Sequence, residues 1–279
     1  MSRLRIGLFG HGRMGRHHAR HLRELGVDLC IVDPAEGFGL EGSIDAAIIA
    51  VPTVFHAAVA EPLLAAGVPC LIEKPLAASV AEALRLAAFP QVMVGHIERF
   101  NPAFSLIAHE KPRFVQTERL APYSGRATDV DVVLDLMIHD LDLFLGVAPE
   151  DPVVEVQGNG VVIVSGQVDI AQARVRTAAG RVGNFTASRV SRVAKRNYRA
   201  FAEGHYWSLD LMAHRAHRVR WDTSLHEEVL DVPVWDALRR EIEAFLGGIE
   251  TQVFPVTAQD GLRALQVAEQ IRAQIGLGP

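Results

Sequence analysis

The chain has 279 residues, 49% hydrophobic and 22% charged, enough apolar material for one large or two ordinary soluble domains. Its formal net charge is −5, and its Lys and Arg residues are scattered, which excludes a polybasic face for nucleic acid or a membrane surface. No run approaches about eighteen uninterrupted apolar residues, and MSRLRIGLFGHG enters a strand at once without an apolar leader, so a cytoplasmic protein is expected.

From residue 4 onward, short apolar runs alternate with helical stretches: LRIGLF then 13–25, DLCIVD, DAAIIAVP then 55–66, VPCLIE then 79–88, and QVMVGH then 101–109. This alternation predicts a Rossmann domain over 1–111, a doubly wound parallel sheet with crossover helices. The usual order of that fold puts the first strand between the second and the fourth. Cys30 and Cys70 then lie two strand spacings apart, roughly 9–10 Å, and stay free thiols, because a disulfide needs α-carbons within about 7 Å. Only residues 34–44, PAEGFGLEGSI, join the second strand to the third, which predicts a loop or single turn there rather than a helix.

GLFGHGRMG sets Gly10, Gly12 and Gly15 in G-x-G-x-x-G spacing between the first strand and the first helix, with Arg13 and Met14 in the turn. Glycine there permits a tight turn and close backbone approach to a pyrophosphate, while the helix N-terminus offers N–H donors. A plain glycine-rich turn is the alternative. Asp33 ends the second strand, where a carboxylate accepts from both ribose hydroxyls and repels a 2′-phosphate. No Lys or Arg occurs in 34–44, so NAD is expected over NADP, although Arg13 and Arg16 keep NADP open.

Glu73, Lys74 and Pro75 fall at the carboxyl end of the fourth strand, the edge where such sheets hold ligands. An ammonium at Lys74 can donate to a substrate hydroxyl oxygen and favour its alkoxide character. Standing alone, Lys74 would read as a surface lysine in a turn. Cys30 and Cys70 sit in apolar runs, as core residues do.

Past residue 111 the pattern changes to a second domain, 112–279, an α+β unit with a mostly antiparallel open sheet. A helix is expected at 130–146, then strands in VVEVQGNGVVIV, QVDIAQARVRTAAG, RVGNFTAS and YWSLDLMA, with turns at Gly158 and Gly180. Helices at 234–248 and 257–275 close the chain, the last able to pack back on the first domain, and the cleft between domains is the default ligand site. In VVLDLMIHDLDLF, Asp135 and His139 stand four apart and share a helix face, with Asp142 further along. The imidazole can take a hydroxyl proton while a carboxylate one turn away orients it or binds substrate. A helix histidine without chemistry is the plainer alternative. Asp135, His139 and His96 have donors suited to zinc, but no further ligand stands at a recognisable spacing, so no metal is expected.

Taken together, Gly10 to Gly15, AVPTVFH at 50–56, EKPLA at 73–77, GHIERFNP at 95–102 and DLMIHDLD at 135–142 resemble the Gfo/Idh/MocA oxidoreductases over nearly the whole chain. The resemblance implies a Rossmann domain joined to an α/β domain whose open sheet packs against another subunit, as a homodimer or homotetramer. It implies hydride transfer between a sugar or cyclitol carbon and a nicotinamide cofactor, with Lys74 the lysine of the Glu-Lys-Pro motif and Asp135 and His139 the Asp-x-x-x-His pair. Val51, Pro52, His56 and Glu73 join the cofactor set, and His56 alternatively serves structure alone. VGHIERFNPAF and TASRVSRVAKR resemble the members that oxidise the 3-hydroxyl of UDP-N-acetylglucosamine or its relatives. Arg99, Asn101 and Arg126 are then substrate-binding candidates, and Arg189 and Lys195 could serve the diphosphate, with Arg189 equally readable as a solvated strand residue. The short 34–44 segment departs from the family pattern. A non-catalytic NAD(H)-binding regulator and an NAD-using glycosidase share the fold; retention of Lys74, Asp135 and His139 together favours the dehydrogenase.

Overall fold

The structure is a computed structural model describing residues 3–276 except 34, 36, 38, 41, 126–129 and 222. In chain order its elements are β1 (Arg5–Phe9), α1 (Arg13–Glu24), β2 (Asp28–Val32), β3 (Ala46–Ile49), α2 (His56–Ala65), β4 (Cys70–Glu73), α3 (Val80–Leu86), β5 (Val92–Gly95) and α4 (Pro102–Ser105). There follow β6 (Phe114–Leu120), a π-helical turn Val133–Met137 running into α5 (Ile138–Gly146), β7 (Val153–Val162), β8 (Val168–Thr177), β9 (Val182–Ser188), β10 (Lys195–Ala202), β11 (His205–Asp210), β12 (Arg215–Trp221), β13 (Leu225–Leu230), α6 (Ala237–Thr251) and α7 (Ala258–Gln274). Two compact units result, Met1–Phe100 with Trp235–Leu262, and Asn101–Val234 with Arg263–Pro279. The segment carrying α6 thus falls in the first unit, and residues 101–111 fall in the second.

The first unit is built on a parallel sheet in the order β2-β1-β3-β4-β5. Strands β3, β4 and β5 are buried along their whole length, as parallel strands covered on both faces must be, and their runs AAII, CLIE and VMVG are accordingly almost wholly apolar. The order corrects one expectation. Strand β1 lies between β2 and β3, pairing Leu8 with both Ile31 and Ile48, rather than beside β4. Among the described residues no further strand follows β2 before β3, and the sheet reverses its direction of growth at β1. Cys30 and Cys70 are therefore three strand spacings apart, and both are free. Burial pushes the Cys70 thiol up to about 12, an inert core sulfur. The expected loop at 34–44 falls partly outside the described residues.

Helix α3 starts where Ser79 accepts from the Glu82 N–H, the Ser-x-x-Glu arrangement of a capped N-terminus. Asp236 caps α6 in the same way, through Leu238 and Arg239. Leu238, Ile242 and Phe245 of α6, with Phe254, close the core over Ile6, Leu8, Leu22, Leu71 and Met93. Each such side chain contributes about 1.5–3 kcal/mol on burial, so α6 is integral to this core.

The second unit carries an eight-stranded sheet, β13-β12-β11-β10-β6-β9-β8-β7, in which only β6 and β9 pair in parallel. Phe104, Val133, Leu141, Phe144, Phe185 and Tyr198 sit at its core. The helix expected at 101–109 shortens to the single turn α4, after which three-residue hydrogen bonds at Ile107 and Glu110 unwind the chain toward β6. At the tip of the β7–β8 hairpin, buried Asp169 accepts from the N–H groups of Ile163, Val164 and Ser165 and from the Ser165 hydroxyl. Among the described residues, no helix is long and apolar enough to cross a membrane.

Candidate active site

In the first unit the strand ends converge on one edge. Gly10 leaves β1 at φ +92°, and a Cβ there would stand 2.7 Å from the Ala50 carbonyl oxygen. A Cβ on Gly15 would run into the Gly10 carbonyl oxygen, so the helix seats against the turn only without a side chain. Gly12 caps α1 without any side-chain acceptor, and a Cβ there would meet nothing within 4 Å. An uncapped helix N-terminus with room beside it fits a dinucleotide pyrophosphate. Asp33 accepts from the His11 N–H at 2.7 Å and the Ala35 N–H at 3.1 Å, tying the end of β2 to the glycine turn. A carboxylate has about four acceptor sites, so holding these amides and binding ribose hydroxyls are not exclusive.

Val51 and Pro52 follow β3 and lead through a short turn into α2. The buried His56 ring lies between two carbonyls, Nδ1 3.0 Å from Pro75 O and Nε2 3.0 Å from Val51 O. Burial pushes its pKa below the usual value against the pull of those carbonyls, so the neutral ring donates to one of them at a time. His56 thereby braces the β3 end against the Glu-Lys-Pro segment. Glu73 is buried at the end of β4 with His18 Nε2 2.7 Å from its Oε1. Burial alone would raise the Glu73 carboxyl, but the His18 hydrogen bond and charge, with Lys74 and His56 nearby, outweigh it and hold it below the usual range. Lys74 is half-buried at this edge, followed by a cis peptide to Pro75. Arg99, also half-buried, lies 3.9 Å from Asp260.

In the second unit Asp131 starts the helix by accepting from Val133 and Leu134, and its other oxygen takes the Arg272 Nε–H at 2.7 Å. Asp135 falls in the π-helical turn and His139 in α5. At α-helical or π-helical pitch, four residues bring the chain back to within about 40° of its start, so the pair still shares a face. Both are half-buried, whereas Asp140 and Asp142 are buried. Asp140 is held by Arg119 at 2.6 Å, which locks the inner face of α5 to β6. π-helical turns gather at functional positions because they re-aim side chains.

Two of the other predicted residues, Asn101 and Arg189, have placed partners. The Asn101 side chain caps α4 through Ala103 and donates to Leu211 O at 2.8 Å. Arg189 is buried, donating from Nη2 to Val130 O at 2.6 Å, which removes the solvated reading, while Lys195 is exposed. Arg126 lies outside the described residues. His18 and Glu241, both fully buried, went unnoticed in the sequence. Glu241 carried a signal, as an acid on the apolar stripe Leu238, Ile242 and Phe245 of α6. Among the described residues, the His, Cys, Asp and Glu donors within 4.8 Å of one another are those of His18, Glu73 and Glu241, not those of Asp135, His139 and His96.

A glycine turn and a strand-end aspartate at the carboxyl edge of a parallel sheet are the arrangement of a dinucleotide-binding domain. A family model described as "Oxidoreductase family, NAD-binding Rossmann fold" matches residues 31–91. Over 310 aligned positions the chain is 36% identical to UDP-N-acetylglucosamine 3-dehydrogenase from Acidithiobacillus ferrooxidans, covering 99% of this chain and 98% of that one. A solved structure of that enzyme superposes with a TM-score of 0.91 at 33% identity over 99% of this chain and 98% of the other. A myo-inositol dehydrogenase from Corynebacterium glutamicum shares the fold, with a TM-score of 0.78 at 22% identity over 99% and 97% of the two chains. The chain belongs to the Gfo/Idh/MocA oxidoreductases and is a nicotinamide-dependent dehydrogenase acting on a CH–OH group.

Proposed function

We propose that the chain transfers hydride between NAD and C3 of a UDP-N-acetylhexosamine. The observation that carries this reading is the end-to-end likeness, 36% over 99% of the chain, to UDP-N-acetylglucosamine 3-dehydrogenase. NAD is preferred over NADP because Asp33 is fixed at the end of β2, and no Lys or Arg in 34–44 offsets its charge against a 2′-phosphate. Gly10, Gly12, Arg13, Met14, Gly15, Asp33, Val51, Pro52, His56 and Glu73 form the cofactor set, and bound NAD supplies the hydride acceptor. Lys74 donates to the substrate hydroxyl oxygen and lowers the cost of its developing negative charge. His139 takes the hydroxyl proton at a ring nitrogen, and Asp135 orients the imidazole or binds a neighbouring hydroxyl. The carbon loses a hydride and the oxygen a proton, leaving a ketone. Arg99, Asn101 and Arg126 belong to the substrate set, and the open sheet of the second unit joins subunits into a homodimer or homotetramer.

The test is a panel of UDP-sugars, free sugars and inositols incubated with NAD or NADP while absorbance of the reduced cofactor is followed. Turnover of a UDP-N-acetylhexosamine with NAD, and a C3 ketone in the product, is the expected result. Turnover of inositols or free sugars alone, or tighter binding of NADPH than NADH, overturns the assignment.

A further inference from the structure

Around Glu73, the residue before Lys74, the first unit buries three ionisable side chains together. His18 on α1, Glu73 at the end of β4 and Glu241 on α6 each bring one donor atom to within 4.8 Å of the others. They are 0%, 8% and 0% exposed. His18 and Glu73 engage each other, but neither carboxyl oxygen of Glu241 meets a hydrogen-bond partner, and nor does His18 Nδ1. An ionised Glu241 would be a second buried anion beside Glu73 with no donor to hold it, the costliest state for a carboxyl group. Two carboxyl groups sharing one buried site ionise singly.

We propose that Glu241 is a positioning residue for the hydride-transfer site: it stays a neutral carboxylic acid and donates its proton within this cluster, so that Glu73 alone carries the charge beside Lys74. Only as the acid does Glu241 have an O–H to give, and the Glu73 carboxylate, which shares the cluster within 4.8 Å, is the acceptor it would take. The groups facing the cluster are His18 from α1, His56 from α2, Glu73 and Lys74 from the end of β4, and Glu241 from α6. Burial and the Glu73 charge both push the Glu241 carboxyl well above the ordinary range, while Glu73 moves the other way. The two acids are thus driven apart, one holding the proton and one the charge.

A divalent cation is the competing occupant of these donors. The 2.7 Å separation of His18 Nε2 from Glu73 Oε1 is that of a shared proton. Two ligands on a tetrahedral zinc, with bonds of 2.0–2.1 Å, stand roughly 3.3 Å apart. Because Lys74 follows Glu73 in the chain, a donor that clamps Glu73 also clamps the point where β4 releases the lysine. The effect on turnover rests on the reading of Lys74 as a catalytic residue; the protonation state does not.

Infrared spectroscopy of the full-length protein and of Glu241→Gln decides the protonation, with metal content measured on the same samples. The wild type is expected to show the carbonyl stretch of a protonated carboxylic acid at neutral pH, absent from Glu241→Gln, with no stoichiometric metal. The absence of that band, or one divalent cation retained per chain, overturns the proposal whether or not a substrate has been found. Steady-state kinetics then decide the role. Glu241→Gln, which keeps a neutral donor, should stay within about threefold of wild-type kcat with the same pH profile, while Glu241→Ala loses about 10- to 100-fold in kcat with NAD affinity nearly constant, the scale of a misplaced catalytic group. Glu241→Gln as slow as Glu241→Ala overturns the positioning role.

Discussion

The two units support their chemistry differently. In the first, candidate residues come from successive strand ends: Gly10 after β1, Asp33 after β2, Val51 after β3 and Lys74 after β4. A parallel sheet places every carboxyl end on one edge, so functional groups accumulate there without any special loop. In the second, almost all neighbouring strands run antiparallel and no edge collects them. Asp135 and His139 ride instead on one helix, whose inner face is locked by the Asp140–Arg119 pair and whose first turns are capped by Asp131. Chemistry spread over four strand ends depends on how the backbone runs. Chemistry on one helix depends on that helix keeping its rotation.

The largest effect should come from removing one group of each kind. Lys74→Ala and His139→Ala are each expected to lower kcat by about 10²-fold or more, the usual scale for a lost acid–base group, with NAD affinity little changed by calorimetry. Losses in the double variant that fall short of the product would mark the two as one catalytic unit. Undiminished turnover in His139→Ala would reduce the helix of the second unit to scaffolding.

Next in size is a break in the backbone of the parallel edge. Gly15→Ala forces a methyl against the Gly10 carbonyl. A cost of about 2 kcal/mol would lower Tm by about 4–8 °C, and dinucleotide binding should weaken by about tenfold or more, equivalent to roughly 1.4 kcal/mol. Asp33→Ser leaves the fold nearly intact and should shift the NAD-to-NADP affinity ratio by about tenfold toward NADP. An unchanged ratio would remove Asp33 from the ribose site.

The smallest effects sharpen the contrast through pH. Glu241 keeps its proton in the folded first unit at pH values where the unfolded chain has released it, so its contribution to stability falls as pH rises above about 4.3 toward the raised folded value. Thermal melts of Glu241→Gln should lack that alkaline decline. Asp169 does the reverse in the second unit. Burial alone would raise it, but the Ser165 hydroxyl and the backbone N–H groups of Val164, Ile163 and Ser165 bring it down to about 2. Its contribution is present above about pH 4 and lost as pH falls toward about 2. Hydrogen exchange at the Ile163 to Ser165 amides should accelerate in acid, and in Asp169→Asn already at neutral pH.

Local pattern made much of this legible in the residues. Glycine spacing, the all-apolar run before Glu73 and the Asp135/His139 interval each lie within about a dozen positions, where backbone period and side-chain type suffice. Strand neighbours are another matter. Nothing in AAII says it pairs with β1; the short 34–44 connection was the one hint that the usual outer strand was missing. An amphipathic stripe on α6 shows that it packs, but not on which core. The π-helical turn has no mark in VLDLM. The His18–Glu73–Glu241 cluster draws on three distant positions, and its sole trace was an acid where a leucine would be expected.

The late return of α6 has a consequence for biosynthesis. Residues 1–100 leave the ribosome carrying Ile6, Leu8, Leu71 and Met93, yet Ile242, Phe245 and Phe254, which cover them in the folded chain, emerge only after the entire second sheet has been made. Through that interval the nascent sheet shows an apolar face, the kind of surface that aggregates or recruits a chaperone. A chain stopped at residue 234 would therefore not yield a smaller cofactor-binding protein. It would yield a sheet without its lid.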